Sequence, residues 1–308
     1  YIIFLLSLIF HIYKNNYKKY LILTDPPLII IISPIIKFLK PKSEVIYWTM
    51  DLYPEALYAS KIFPFRNKII FNYLKKIKNY SLKFVDKMIN LGISQNKLFQ
   101  NYPNTKKILI KIVHPWDLRN FKNDNKSINK FLKKYNFLNK KIILYAGNIG
   151  VAHSIKTLIN FINFCKKKNL NYYFIFACAG KKKKKLIKNL KYNKNVLITD
   201  YFSPKESSLL LNSASYHLVT LENEWSGIVY PSKLFGIIKT NKPVIYIGPI
   251  KSDIANLIKF KKYGLVFKNN QKSSIILKKI ENFSNSNNIK RMNNYFKNPK
   301  QITQFVLS

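Results

Sequence analysis

Residues 144–154 read LYAGNIGVAHS and are the clearest structural signal in this chain. The strand candidate Ile142–Ala146 runs into a turn bounded by Gly147 and Gly150, and Ser154 then opens a segment with helical spacing of apolar residues. Such a turn lets backbone N–H groups approach an anion, and the following helix N-terminus adds the positive end of its dipole. We therefore predict an anion site here; the alternative is a tight turn without a ligand. The pattern is not GxGxxG, so NAD binding is not predicted.

The same alternation of short apolar runs and longer amphipathic runs continues to about residue 283. Apolar strands separated by helices predict parallel pairing with both faces buried, and hence a doubly wound α/β domain. Its predicted strands are Ile142–Ala146, Tyr172–Ala177, Asn195–Thr199, Tyr216–Leu221, Pro243–Ile247 and Gly264–Phe267. Its predicted helices are Ser154–Lys168, Lys181–Leu190, Ser203–Leu211, Pro231–Lys239, Ser252–Phe260 and Ser273–Phe283. The chain has only eight glycines, and Gly147, Gly180 and Gly248 each follow a strand, at the edge where such sheets bind ligands.

The N-terminal half is less regular, with strand candidates at Leu21–Thr24, Val45–Met50, Met88–Leu91 and Ile110–Val113. These predict the rear part of a second α/β domain whose first units lie before Tyr1. We expect a first domain over 1–116, a second over 117–290 and a C-terminal tail or helix over 291–308. The boundary is predicted near His114-Pro115-Trp116.

Composition narrows the classes of protein. The 308 residues include 54 Lys plus Arg and 13 Asp plus Glu, a net charge of +41, while 47% apolar and 15% aromatic residues exclude disorder. A basic chain suggests a nucleic-acid or anionic-lipid partner. The chain has only three arginines, however: Arg66, Arg119 and Arg291. Phosphate-binding sites favour arginine, because its guanidinium group can form two parallel hydrogen bonds with phosphate oxygens. The charge therefore indicates a solvated lysine surface and no nucleic-acid partner. The chain also has only two cysteines, which cannot form a four-cysteine zinc site.

Two apolar runs, Tyr1–Ile12 and Leu28–Leu39, are too short to span a bilayer. Lys14, Lys18 and Lys19 lie between them and suit an anionic membrane surface. We expect a cytoplasmic protein that associates peripherally with the cytoplasmic face of the inner membrane.

A second glycine-bounded segment, Gly227–Gly236, contains Pro231 and Ser232, which suit a helix start. Lys233 in the first turn is electrostatically misplaced near the positive end of the helix dipole unless it faces a negative partner. The segment therefore predicts an anion contact at Lys233; the alternative is an ordinary exposed lysine.

A third segment, residues 47–55, reads YWTMDLYPE and holds two of the thirteen acids, Asp51 and Glu55, at the end of a strand. A carboxylate pair can orient a sugar hydroxyl or act as a base. The alternative, weighed equally, is a helix cap at Asp51 with Pro54 and Glu55 in the first turn.

Together these segments resemble family-4 glycosyltransferases, in the branch of colanic-acid, O-antigen and capsule biosynthesis. The resemblance is carried, in order, by DLYPE at 51–55, VHPW at 113–116, YAGNIG at 145–150 with His153, YPSKLFGI at 230–237 and KPVI at 242–245. It implies the GT-B fold, two facing Rossmann-like domains with the N-terminal one truncated. It also implies a hexosyltransferase that moves a sugar, with retention, from a nucleoside-diphosphate sugar to a lipid-linked or polysaccharide acceptor, without a metal or other cofactor.

The resemblance also implies roles for individual residues. Gly147, Asn148, Ile149 and Gly150 would hold the donor diphosphate together with the catalytic candidates His153 and Lys233, while Asp51 and Glu55 would face the acceptor. Further donor-site candidates are Tyr201 and Phe202 beside the base, Glu222 and Glu224 on ribose or sugar hydroxyls, and Gly227, Pro231 and Ser232 along the phosphate and sugar. The chain departs from the family where Asn148 and His153 replace an Arg and a Lys, and where the paired Glu positions hold Ile228 and Gly236.

Two other functions fit parts of the sequence. A sugar-nucleotide epimerase of the same fold would convert the donor sugar without any acceptor. A basic nucleic-acid or membrane-surface binder would lose binding steeply with salt and would ignore nucleoside diphosphates.

Overall fold

The computed structural model describes residues 1–114, 124–284 and 299–308, which form two compact α/β units. The first unit contains the described residues 1–114, 224–230 and 299–308, and the second contains 124–223 and 231–284. The predicted α/β class is confirmed. The boundary expected near His114-Pro115-Trp116 lies partly outside the described residues, so the domain limits stay a prediction.

The described part of the first unit contains a parallel sheet in the order β1-β2-β3-β4. Each strand lies within two residues of its predicted position. The strands are β1 (Lys19–Ile22), β2 (Glu44–Trp48), β3 (Lys87–Asn90) and β4 (Leu109–Ile112). The helices are α1 (Ile2–Lys14), α2 (Ile32–Leu39), α3 (Glu55–Ala59), α4 (Lys68–Leu82) and α5 (Ile93–Phe99), with 3₁₀ turns at Ile29–Ile31 and Pro103–Lys107.

The described part of the second unit contains a parallel sheet in the order β10-β9-β8-β5-β6-β7. Its strands are β5 (Lys141–Ala146), β6 (Tyr172–Ala177), β7 (Val196–Thr199), β8 (Tyr216–Thr220), β9 (Val244–Ile247) and β10 (Gly264–Phe267). Its helices are α6 (Asn125–Lys134), α7 (Lys156–Lys167), α8 (Lys183–Leu190), α9 (Pro204–Ser213), α10 (Lys233–Ile238), α11 (Asp253–Phe260) and α12 (Ser273–Ser284). A 3₁₀ turn covers Asn223–Trp225. The strand order reverses between β5 and β8, and doubly wound sheets bind ligands at that point.

Both faces of β5 are buried, as expected for a central parallel strand. Ile143 and Tyr145 pack into one apolar cluster with α7, whereas Ile142 and Leu144 pack into a second cluster with α6 and α9. The sequence also predicted the start of α9: the Ser203 hydroxyl accepts a hydrogen bond from the Glu206 N–H at 3.3 Å.

Two later segments complete the first unit. Helix α13 (Pro299–Leu307) is held at its C-terminal end by Lys19, whose Nζ donates to the carbonyls of Val306 and Leu307, both at 2.8 Å. The segment 224–230 is joined to the loop after β2, where the Leu52 N–H donates to the Ile228 carbonyl at 2.8 Å. The first unit is therefore built from three separate parts of the chain.

Candidate functional site

The carboxyl ends of β5 and β8 bring several predicted residues together in the second unit. The turn at 147–153 follows β5, and Glu222 lies two residues beyond β8. The Glu222 N–H donates to the Ala152 carbonyl at 2.8 Å, which joins the two strand ends. Lys233, the first residue of α10, reaches the same turn, with its Nζ 3.5 Å from the Asn148 carbonyl oxygen.

Two backbone N–H groups of the turn already donate hydrogen bonds to carbonyls at the end of β6 and just beyond it. The Gly147 N–H donates to the Ala177 carbonyl at 3.0 Å, and the Ile149 N–H donates to the Ala179 carbonyl at 2.7 Å. These two amides, which the sequence suggested as anion ligands, are thus already satisfied. The positive charge available to an anion at this turn comes from side chains.

Lys233 is the most distinctive of these side chains. Its Nζ lies 3.8 Å from the centroid of the Tyr145 ring, and the Tyr145 hydroxyl donates to the Asn148 carbonyl at 2.7 Å. Burial lowers the pKa of Lys233 to about 7, because a desolvated ammonium is costly. A desolvated cation of this kind is strongly stabilised by a negative partner. The sequence predicted such a partner for Lys233, because a lysine is unfavourable in the first turn of a helix.

His153 lies on the same turn, with its ring edge-on to the Tyr145 ring at a centroid distance of 6.0 Å. Its Nδ1 is buried and has no hydrogen-bond partner within the described part of the chain. Burial, followed by the charges of Lys233 and Lys182, lowers the pKa of His153 to about 3. The imidazole is therefore neutral near pH 7 and can offer a hydrogen bond to a ligand, while the cations are lysines.

Lys182 is a site residue that the sequence analysis missed. Its Nζ donates to the His153 carbonyl at 2.6 Å and to Glu222 Oε1 at 3.1 Å. It is the second of five consecutive lysines, Lys181–Lys185, at the start of the predicted helix Lys181–Leu190, where the local sequence does not distinguish it from its neighbours. Its one local signal is Gly180, two residues earlier, which permits a close approach to the turn.

Two predicted base-binding residues follow β7 and differ in environment. Tyr201 is 56% exposed, so its ring is open to a ligand. Phe202 instead packs against the α6 aromatics, with ring centroids 5.3 Å from Tyr135 and 6.0 Å from Phe131. Of the two, Tyr201 remains the candidate for stacking on a base.

The predicted donor residues between β8 and α10 are divided between the units. Glu224 and Gly227 belong to the first unit, where Gly227 lies so close to α5 that a Cβ there would be 2.8 Å from the Ser94 carbonyl oxygen. Pro231 and Ser232 belong to the second unit and lead into α10. The Ser232 side chain is exposed and makes no capping hydrogen bond to α10.

In the first unit, Glu55 is part of a buried ion pair. Its Oε2 lies 3.0 Å from Nζ of the fully buried Lys78, and its Oε1 accepts a hydrogen bond from the Tyr102 hydroxyl. Burial raises the pKa of Glu55, but the Lys78 charge and the Tyr102 hydrogen bond outweigh it and hold the pKa below its ordinary value. Glu55 lies in the first turn of α3, as the helix-cap alternative predicted, but the N-cap of this helix is Pro54 and not Asp51. The Glu55 carboxylate is occupied within the unit.

Asp51 has a different environment from Glu55, so the two acids do not form the expected pair. The Asp51 N–H donates to the Thr24 hydroxyl at 3.2 Å. Burial, and then the nearby Asp25 carboxylate, raise the pKa of Asp51. Within the described residues no side chain donates a hydrogen bond to the Asp51 carboxylate. Asp51 is therefore the better candidate for contact with a substrate.

The fold is shared with known sugar-handling proteins. WaaG, a glycosyltransferase involved in lipopolysaccharide biosynthesis, matches with a TM-score of 0.60 at 16% identity, covering 82% of this chain and 71% of WaaG. HepE of Anabaena in complex with UDP-glucose matches with a TM-score of 0.73 at 14% identity, covering 98% of this chain and 80% of HepE. TarM matches with a TM-score of 0.68 at 14% identity, covering 97% of this chain and 57% of TarM.

At these identities the likeness establishes the fold, and it confirms the predicted GT-B class with its Rossmann-like units. No protein-family model matches the chain, and no curated protein is similar to it in sequence. In the residues that the structure describes, no group of three or more His, Cys, Asp or Glu could hold a metal ion.

Proposed function

We propose that this protein is a retaining glycosyltransferase of the hexosyltransferase type that acts in cell-surface polysaccharide biosynthesis. It would transfer a sugar from a nucleoside-diphosphate sugar to a lipid-linked or saccharide acceptor. The observation that carries the proposal is Lys233, a partly desolvated cation beside the β5 turn where the strand order reverses. Among proteins with this fold, WaaG is a glycosyltransferase involved in lipopolysaccharide biosynthesis, and HepE forms a complex with UDP-glucose.

The proposed chemistry follows from this arrangement. When the bond from the sugar to the donor phosphate breaks, negative charge develops on the departing diphosphate, and a preorganised cation there lowers the barrier. Lys233 supplies that charge, and the neutral His153 ring supplies a hydrogen bond. Asp51 orients the acceptor hydroxyl. We propose that these protein groups do this work without a metal or other cofactor.

Nucleotide binding provides the first test. A thermal-shift series with UDP, GDP, ADP and CDP is expected to raise the unfolding temperature for one nucleotide in particular, because a ligand that binds only the folded state stabilises it. At 100 times its dissociation constant this ligand adds about 2.7 kcal/mol. No response to any nucleoside diphosphate would contradict the proposal.

Product analysis then separates transfer from epimerisation. With the sugar donor of the stabilising nucleotide and a membrane-lipid extract as acceptor, we expect a labelled sugar to move to the acceptor and free nucleotide to accumulate. Conversion of the donor sugar with no acceptor present would identify an epimerase instead. The anomeric proton of the first product reports whether configuration is retained.

We also propose that the first unit binds the cytoplasmic face of the inner membrane. No helix in the described ranges is long and apolar enough to cross a bilayer. Helix α1 nevertheless presents five apolar side chains, each more than half exposed, on one face. These residues, named the α1 apolar face, are Ile2, Ile3, Leu6, Phe10 and Tyr13. Exposed Lys14 and Lys18 follow them, so apolar contact and positive charge occur together.

The α1 apolar face predicts binding to anionic vesicles. The double variant Leu6→Glu with Phe10→Glu is expected to lose co-sedimentation with phosphatidylglycerol vesicles, while phosphatidylcholine vesicles bind neither protein. The matched control is Asn171→Glu with Asn195→Glu, two exposed positions in the second unit that introduce the same charge. Equal loss in both double variants would show that net charge alone drives binding and that α1 has no special part.

A further inference from the structure

We propose that Lys182 is a second cationic ligand of the donor diphosphate and that Glu222 is its counter-ion. The inference rests on the proposed function and deepens it, since it assigns a residue that the sequence analysis did not select. It also gives Glu222 a role other than the hydroxyl ligand expected from the sequence.

The first observation is that two ammonium groups are anchored to the same turn. Lys233 Nζ lies 3.5 Å from the Asn148 carbonyl oxygen, and Lys182 Nζ lies 2.6 Å from the His153 carbonyl oxygen. The buried, unpartnered Nδ1 of His153 belongs to this turn. Two cations and a ring nitrogen with unused hydrogen-bonding capacity suit a ligand with several anionic oxygens, as a diphosphate has.

The second observation is that Lys182 is held against the turn, whereas the adjacent Lys183 pairs with Asp200. Its backbone N–H donates to the Ile149 carbonyl at 3.0 Å, so the start of α8 is tied to the turn. Only 24% of its side chain is exposed. Lys181 and Lys184, in the same run, are exposed. Composition alone explains an exposed lysine in this chain, but it does not explain one fixed by three hydrogen bonds.

The third observation is the ion pair of Lys182 with Glu222, which are 3.1 Å apart. Without a ligand, a carboxylate here offsets the repulsion that two lysines at one turn would otherwise experience. When a diphosphate is present, the same carboxylate repels it. Glu222 therefore keeps Lys182 in position and limits the affinity for the diphosphate, which favours release of the nucleotide product.

Calorimetric titration with UDP and with inorganic pyrophosphate, a probe that lacks the base and the sugar, tests both roles. Lys182→Ala is expected to weaken pyrophosphate and UDP binding by roughly tenfold, as for loss of one charge-assisted contact. The matched control Lys181→Ala should change either affinity by less than about twofold. Glu222→Gln is expected to tighten pyrophosphate binding. Cooperative unfolding at an unchanged midpoint confirms that each variant is folded.

Each contrary result has a distinct meaning. Equal affinities for Lys182→Ala and Lys181→Ala would overturn the ligand role of Lys182. A Glu222→Gln variant that binds UDP more weakly but pyrophosphate as before would make Glu222 a hydroxyl ligand and overturn the counter-ion role. Failure of the folded wild-type protein to bind pyrophosphate or any nucleoside diphosphate would overturn the proposed function itself.

Discussion

Replacing Lys233 with methionine is expected to weaken nucleoside-diphosphate binding by roughly 100-fold, because the site loses its most desolvated charge-assisted contact. Turnover should fall further, since the charge on the leaving group is largest in the transition state. Methionine is unbranched and similar in length to lysine, so the fold should survive. The control is Lys239→Met, an exposed lysine just beyond the other end of α10. Unchanged binding and turnover in Lys233→Met would show that Lys233 does not contact the diphosphate.

The same variant predicts two opposite trends with pH. Because the pKa of Lys233 is about 7, the cation is lost as pH rises through that value, and wild-type affinity for UDP should decline relative to Lys233→Met. The phosphates of UDP also titrate, but they affect both proteins equally. The ratio of the two dissociation constants therefore reports the titration of Lys233. The contribution of Lys233 to folding stability changes with pH in the opposite direction. The unfolded chain, with a pKa near 10.5, binds more protons than the folded one, so this group's contribution to stability rises with pH between the two pKa values.

Lys233→Met should therefore be at least as stable as wild type below neutral pH, since it removes a buried charge. A loss of binding together with retained or increased stability would assign the effect to the site. A variant that both unfolds more easily and binds less would instead indicate a packing role for the side chain.

Replacing Gly180 with alanine is the second change with a large expected effect. Gly180 has a φ of +115°, and a Cβ there would lie 2.2 Å from Asn148 Oδ1 and 2.9 Å from the Ile149 carbonyl carbon. The turn and the start of α8 must then separate, which moves both Asn148 and Lys182. We expect the free energy of unfolding to fall by about 2–4 kcal/mol and diphosphate binding to be lost. Urea unfolding and calorimetry measure the two effects.

Gly150→Ala is the matched control for Gly180→Ala, because both add one methyl group to the same site. The nearest atom to a Cβ at Gly150, Asn148 Nδ2, is 3.4 Å away, an ordinary contact. Its effect on the free energy of unfolding should therefore be small. If the two variants behave alike, close packing of Gly180 on the turn does not determine the geometry of the site.

Strand positions could be predicted from the sequence because they depend on local pattern. The run Tyr172–Ala177 is apolar throughout and lies between Asn171 and the glycine-bounded turn at Gly180, and the observed β6 has the predicted limits. Lys233 could also be selected locally, since a lysine is unfavourable in the first turn of a helix. The strand order, which puts β8 beside β5, follows from the right-handed crossovers of such folds and from no single residue.

The rest of the site depends on partners that are distant in the sequence. Lys182 differs from its lysine neighbours only through contacts with His153 and Glu222, 29 and 40 residues away. The ion pair of Glu55 with Lys78, 23 residues later, cannot be predicted from the local pattern that makes Glu55 a substrate candidate. A Cβ would collide with the turn at Gly180 but not at Gly150. No local pattern carries this information.

The three-part construction of the first unit constrains the order in which the protein can fold during synthesis. The hydrogen bonds of Lys19 to Val306 and Leu307 join residues 287 and 288 positions apart. Synthesis must therefore reach about residue 307 before α13 can pack on the first unit. The second unit is complete, in its described residues, by position 284 and can fold earlier. A nascent chain stopped near residue 120 is thus expected to remain protease-sensitive, although it already contains the four strands β1–β4 that the structure describes in this unit.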